Sequence, residues 1–148
     1  GVVALLLDGT AEAESALPAS LALAAGFGAL LHLIRATPTV WTVGGDRAAS
    51  ATLIPGTARA VLDLEAEEAQ GYLARIAASL AGRGTEVRTS VVRGDAAGAT
   101  VAEARRIGVD VLALATHGHQ GLSGVWAGST GSKVLGRFTR PVLLVRSP

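Results

Sequence analysis

Residues 115–134 read ATHGHQGLSGVWAGSTGSKV and hold Gly118, Gly121, Gly124, Gly128 and Gly131 of the nineteen glycines in the chain. The apolar run VDVLALA leads into this stretch, and a helical pattern starting near Ser129 leads out of it. Glycines let a backbone approach a ligand closely. The first turn of a helix offers unpaired N–H groups at the positive end of its dipole. Ser129 and Thr130 add hydroxyl donors at that turn. One reading is a phosphate cradle; the other is a glycine-rich turn in which Ser129 is an ordinary helix cap.

Asp8 is the second candidate. It closes the apolar run VVALLL and precedes Gly9. A carboxylate there can accept from ribose hydroxyls or hold a metal, or it can cap the next helix through an Asx turn. His117 and His119 form an H-x-H pair, but a zinc site needs a third and fourth ligand and none is near in sequence. His32 sits within an apolar run and reads as a buried histidine with a satisfied partner; Trp41 and Trp126 read as packing residues.

Several chemistries find no support. The pattern G-x-x-x-x-G-K-[ST] is absent, since GSTGSKV places Ser132 before Lys133. G-x-G-x-x-G is absent after the first apolar run, where LDGTAEAES stands. There is no nucleophile elbow and no readable Ser/His/Asp arrangement. No general base stands at a useful spacing, which argues against an efficient enzyme.

The 148 residues fit one domain, 1–148. Hydrophobic residues make up 49% and aromatic ones 3%, so the core must be built from aliphatic side chains. The net charge of +1 argues against a strong nonspecific hold on nucleic acid or on an anionic membrane. No apolar run reaches the roughly 18 residues of a membrane span. The chain has no cysteine, which excludes disulfides and thiolate metal sites and fits a reducing, cytoplasmic setting.

Five apolar runs must carry these candidates: residues 2–7, 29–34, 86–92, 109–115 and 141–146. Four are nearly continuous, as in parallel strands covered on both faces. The third alternates, with Val87, Thr89 and Val91 on one face, which suits an edge strand. Helical spacing separates the runs over 11–26, 62–80, 97–107 and 129–138, with Pro18 as an objection within the first and Gly26, Gly82 and Gly108 as stops. The segment 36–60 reads as a long loop, and Asp46, Arg47 and Arg59 are its only titratable residues. The alternation of strands and helices predicts a doubly wound α/β fold. In such folds ligands sit beyond the carboxyl ends of the strands, where strand order reverses. That directs attention to LLLDGT, HLIRA and the glycine-rich loop.

On these residues the chain resembles the universal stress protein family over nearly its whole length. The resemblance is carried by LLLDGTAEAESAL, GALLHLI, VVRGDAAGATVAEARRIGVDVLALATHG and GSTGSKVLGRFTRPVLLVRSP. The family's ATP motif, G-x2-G-x9-G-[ST], is matched at Gly118, Gly128 and Ser129, while Ala115 stands in place of its first glycine. The resemblance implies a five-stranded parallel sheet in the order 3-2-1-4-5 with helices on both faces, a Rossmann-like fold of the adenine nucleotide alpha hydrolase type. It implies ATP or AMP, with Mg as a companion ion, between strands one and four, in a regulatory, stress-response role. Carried over by position, it implies Asp8 beside the adenosine, and Leu33 at the end of strand two beside adenine. It further implies Leu114 and Ala115 at the end of strand four, and Gly118, Gly128, Ser129, Thr130 and Gly131 around the phosphates.

Two departures bear on this. The family often carries a second hydroxyl where Gly131 stands; here Ser132 is adjacent. A positive φ at position 115 would cost alanine about 1 kcal/mol or more, whereas a glycine kept only for close approach would leave room for a methyl. The alternative function is a nucleotide-free, dimeric interaction module of the same fold. In the implied order PVLLVR is an apolar edge strand, a type of edge that pairs unless covered, with Pro141 at its tolerated first position. A homodimer through residues 142–145 is therefore expected in either case.

Overall fold

The apolar runs become the strands of one parallel sheet in the computed structural model, which describes residues 1–116 and 130–148. The strands are β1 (Val2–Leu6), β2 (Leu30–Thr37), β3 (Val87–Arg93), β4 (Val111–Thr116) and β5 (Val142–Arg146). Their order is β3-β2-β1-β4-β5, as the sequence reading implied, so β3 and β5 are the edges. The helices are α1 (Ala11–Glu14), α2 (Leu17–Gly26), α3 (Asp46–Leu53), α4 (Pro55–Ser79), α5 (Ala96–Arg106) and α6 (Thr130–Arg137).

Strand side chains alternate between faces, and each face has its own helical cover. Val3, Leu5, Leu7, Leu31, Leu33 and Ala113 join one buried cluster with Ala24 of α2 and Leu73 of α4. Ala4, Ile34, Leu112 and Leu114 join the other with Val101 of α5 and Val134 of α6. Burial on both faces is why these strands are written as continuous Val, Leu and Ala rather than as alternating sequence. The crossovers after β1 and β2 thus cover one face, and those after β3 and β4 cover the other.

Two local expectations are corrected. Residues 11–26 form two helices, because Pro18 falls in the first turn of α2, where its missing N–H costs nothing. The stop at Gly26 is as expected, and the turn after it uses Gly28, at φ 59°, as its left-handed residue. The segment 36–60 is not one long loop: β2 runs on through Thr37, α3 covers Asp46–Leu53 and α4 begins at Pro55. Pro55 reads as a breaker in sequence, yet it too lies in a first helical turn.

His32 is a satisfied buried histidine, as its apolar setting suggested. Its Nε2 lies 2.6 Å from Ser90 Oγ on β3. Glu103 of α5 lies near this pair, and its carboxylate takes both Arg106 Nε and Nη2 at 2.7 Å. Burial is the main cause holding the His32 pKa below its ordinary 6.5; Glu103 acts against it, and Arg106 and Arg88 act with it.

The folded state thus favours neutral His32, and the unfolded chain binds the extra proton more readily. This contribution is fully present above pH 6.5 and is lost as pH falls from there toward the folded-state value. Proton NMR should give a His32 midpoint below 6.5, and urea denaturation should give a stability that declines through that window. The decline should be smaller in His32→Gln. A midpoint above 6.5 would contradict the assignment.

Candidate functional site

The site candidates gather where β1 ends. Leu7 continues the strand by one residue, donating from its N–H to the Ile34 carbonyl at 2.8 Å. The chain then turns sharply through Gly9 at φ 86°, a left-handed conformation that glycine adopts without a Cβ clash. Asp8 Oδ1 accepts from Thr10 N at 2.9 Å and from Thr10 Oγ1 at 2.6 Å. Thr10 in turn caps α1, its Oγ1 accepting from Ala13 N at 3.2 Å. The Asx turn is therefore present, but it uses only one carboxylate oxygen. Asp8 is exposed, and among the described residues nothing donates to Oδ2.

The strand register shows what stands beside Asp8. Leu5 pairs with Leu33 on one side and with Ala113 on the other. Continued two residues further, the same register sets Leu7 level with Arg35 and Ala115, and Asp8 level with Thr116. Neighbouring strands lie about 4.8 Å apart. After β1 the chain leaves toward the α2 and α4 face, whereas α6, the next described element after β4, packs with α5 on the opposite face. Helix α6 returns at Thr130, with Thr130 exposed and Gly131 and Ser132 half-buried in its first turn.

The other expected site residues divide. Leu114 is 4% exposed and packs beneath α5 and α6. Ala115 is half-buried within β4, paired with Val145. No non-glycine residue among those described has a positive φ, so Ala115 sits in ordinary extended backbone without the strain a left-handed position would impose. Leu33 requires a correction of place. Because β2 runs through Thr37, Leu33 lies mid-strand and fully buried rather than at the strand end. Gly118, Gly128 and Ser129, together with His117, His119 and Trp126, lie outside the described residues.

Three residues around this mouth are not among the site residues named from the sequence. Arg35 follows Leu33 on the same face of β2 and rests its guanidinium over the Tyr72 ring, 4.9 Å from Cζ to centroid. Tyr72, on α4, donates its hydroxyl to Glu14 Oε1 on α1 at 2.8 Å. Burial, then this bond, pushes the Tyr72 pKa up, so it remains a neutral donor. The motif HLIRA pointed to the end of β2, but Tyr72 lies 37 residues further along and nothing local links it to Arg35. Two surface pockets lie elsewhere. One, with about 510 Å³ of empty space, is lined by Val43, Arg47, Ile54, Ala58, Val61 and Leu62; the other contains Trp41 and Arg93. Among the described residues no three metal-binding side chains come together, and no helix is long and apolar enough to cross a membrane.

The family model for the universal stress protein family matches residues 2–146. The chain belongs to that family. None of the curated proteins matches it in sequence. Among solved structures, universal stress protein UspA from Lactobacillus plantarum is similar, with a TM-score of 0.77 at 18% identity over 98% of this chain and 97% of that one. A universal stress protein in complex with cAMP gives 0.61 at 20% identity, over 99% and 97%. A family protein from Arabidopsis thaliana with AMP bound gives 0.63 at 12%, over 99% and 92%. At these identities the likeness shows the fold: a five-stranded parallel sheet with helices on both faces.

In this universal stress protein the alanine at position 115 is not a strained stand-in for glycine. Ala115→Gly should therefore lower stability by about 0.5–1 kcal/mol, the usual cost of glycine within a strand, as read by urea denaturation. A variant more stable than the parent would show strain at this position.

Proposed function

We propose that this universal stress protein binds an adenine nucleotide in the crevice between β1 and β4, in a regulatory, stress-response role. The observation that carries the reading is the sheet order. Strand order reverses at β1, and the crevice at such a reversal is where open α/β sheets hold ligands. Asp8 offers Oδ2 to ribose hydroxyls while Oδ1 keeps its turn in place. The first turn of α6, with Thr130 and Gly131, offers backbone donors to phosphate. Leu114 and Ala115 form the floor, and Gly118, Gly128 and Ser129 complete the phosphate loop that the family motif describes. ATP, carrying Mg on its phosphates, and AMP are the members of this class to test. The relatives with cAMP and AMP favour the same class.

Denaturing the purified protein and analysing the supernatant should release an adenine nucleotide, or calorimetry should show ATP or AMP binding to the emptied protein. Asp8→Ala should weaken binding about tenfold or more, the loss expected for a charge-assisted hydrogen bond. No nucleotide on release together with no binding heat would leave the nucleotide-free interaction module as the function of this chain.

The edge strand supports association under either reading. Val142, Leu143 and Val145 are half-buried and Leu144 is 36% exposed at the open side of β5. We infer a homodimer through residues 142–145, since an unpaired apolar edge gains both hydrogen bonds and burial from a second copy. Light scattering should give twice the 14.8 kDa chain mass at micromolar concentration, and Leu144→Lys should shift it toward the monomer. A parent protein that is already monomeric there would overturn the inference.

A further inference from the structure

Arg35 is a half-buried cation with an unusual set of neighbours. Its guanidinium lies over Tyr72. A Cβ placed on Gly9 would come within 3.2 Å of Nη2 and 3.3 Å of both Cζ and Nη1. Near-equal distances to all three atoms put Gly9 over the flat face of the group. The Gly9 backbone and the Tyr72 ring thus take up the guanidinium's surroundings without accepting from its N–H groups. Tyr72 is itself anchored by Glu14, which ties β2, α4 and α1 around the Asp8 turn.

Among the described residues the Arg35 guanidinium makes no hydrogen bond and no ion pair, whereas Arg47, Arg88, Arg93, Arg106, Arg137 and Arg140 each have a carboxylate partner. Asp8 and Glu14 share its neighbourhood, both acting on Tyr72, but neither lies within ion-pair distance of Arg35. A partly desolvated charge without a partner is costly. A guanidinium held flat, with its N–H edge unspent, is arranged for bidentate contact with an oxyanion.

We propose that Arg35 is an anion subsite of this protein, taking phosphate oxygens at the mouth between β1 and β2. For its ligand the proposal rests on the nucleotide reading above, and it adds a phosphate contact separate from α6. The shared chemistry is a phosphate oxyanion, whose source is either the nucleotide or free inorganic phosphate. Gly9 belongs to the same device, because a side chain there would strain the turn and displace the guanidinium.

NMR of the arginine side chains in the protein tests this directly. The Arg35 Nε–H resonance is followed while AMP, adenosine and inorganic phosphate are titrated in turn. AMP should shift it and adenosine should not; a shift with inorganic phosphate alone would identify a free-phosphate site. By calorimetry Arg35→Gln should weaken AMP about tenfold or more and leave adenosine unchanged, with Arg35→Lys between the two. If AMP shifts other resonances but not Arg35, or if Arg35→Gln weakens adenosine as much as AMP, the anion subsite is overturned and nucleotide binding stands. If no probe shifts any resonance, both proposals fail together.

Discussion

Everything at the mouth of this sheet depends on β1 being paired on both sides, with β2 on one edge and β4 on the other. A strand so placed is enclosed by two neighbours and two helical layers, which is why Ala4, Leu5 and Leu7 have no exposed surface. Parallel pairing also sends the chain away at the same end of each strand. The helices that follow β1 and β4 cover opposite faces, so the crevice proposed for the nucleotide follows from topology rather than from any particular side chain.

Local chemistry then refines that opening. Gly9 turns the chain, and Thr10 links the start of α1 to Asp8 through one hydroxyl. The Asx turn engages only Oδ1 of Asp8 and fixes the carboxylate's position, so the ligand contact proposed for Oδ2 does not compete with it. The Arg35, Tyr72 and Glu14 chain braces the same turn from behind, so positioning and charge arise from one set of contacts.

Much of this was legible in the sequence. Continuous runs such as VVALLL announced strands buried on both faces, and the alternation at Val87, Thr89 and Val91 marked β3 as an edge. The Asx turn at Asp8 and the helix start at Thr130 were legible because turns and helix starts are written locally. The misplacements share a cause. Pro18 and Pro55 carry the same letter whether they break a helix or open one, and only the position of the first turn decides. The resemblance implies Leu33 at the end of strand two, yet Arg35 and Thr37 continue β2 beyond it. Arg35 and Tyr72 meet across β2 and α4, and no spacing rule in one sequence reports such a contact. Strain at Ala115 is absent for a related reason: φ belongs to the fold, and there the residue is plain strand.

The most direct measurement of the central claim is a backbone amide map of the protein during AMP titration. The account predicts that the largest shifts fall on Asp8, Gly9 and Thr10, on Thr116, and on Thr130 to Ser132, the residues bordering the crevice between β1 and β4. Shifts confined to the apolar groove around Val43, Ile54 and Val61, or no shifts at millimolar-range ligand, would contradict it.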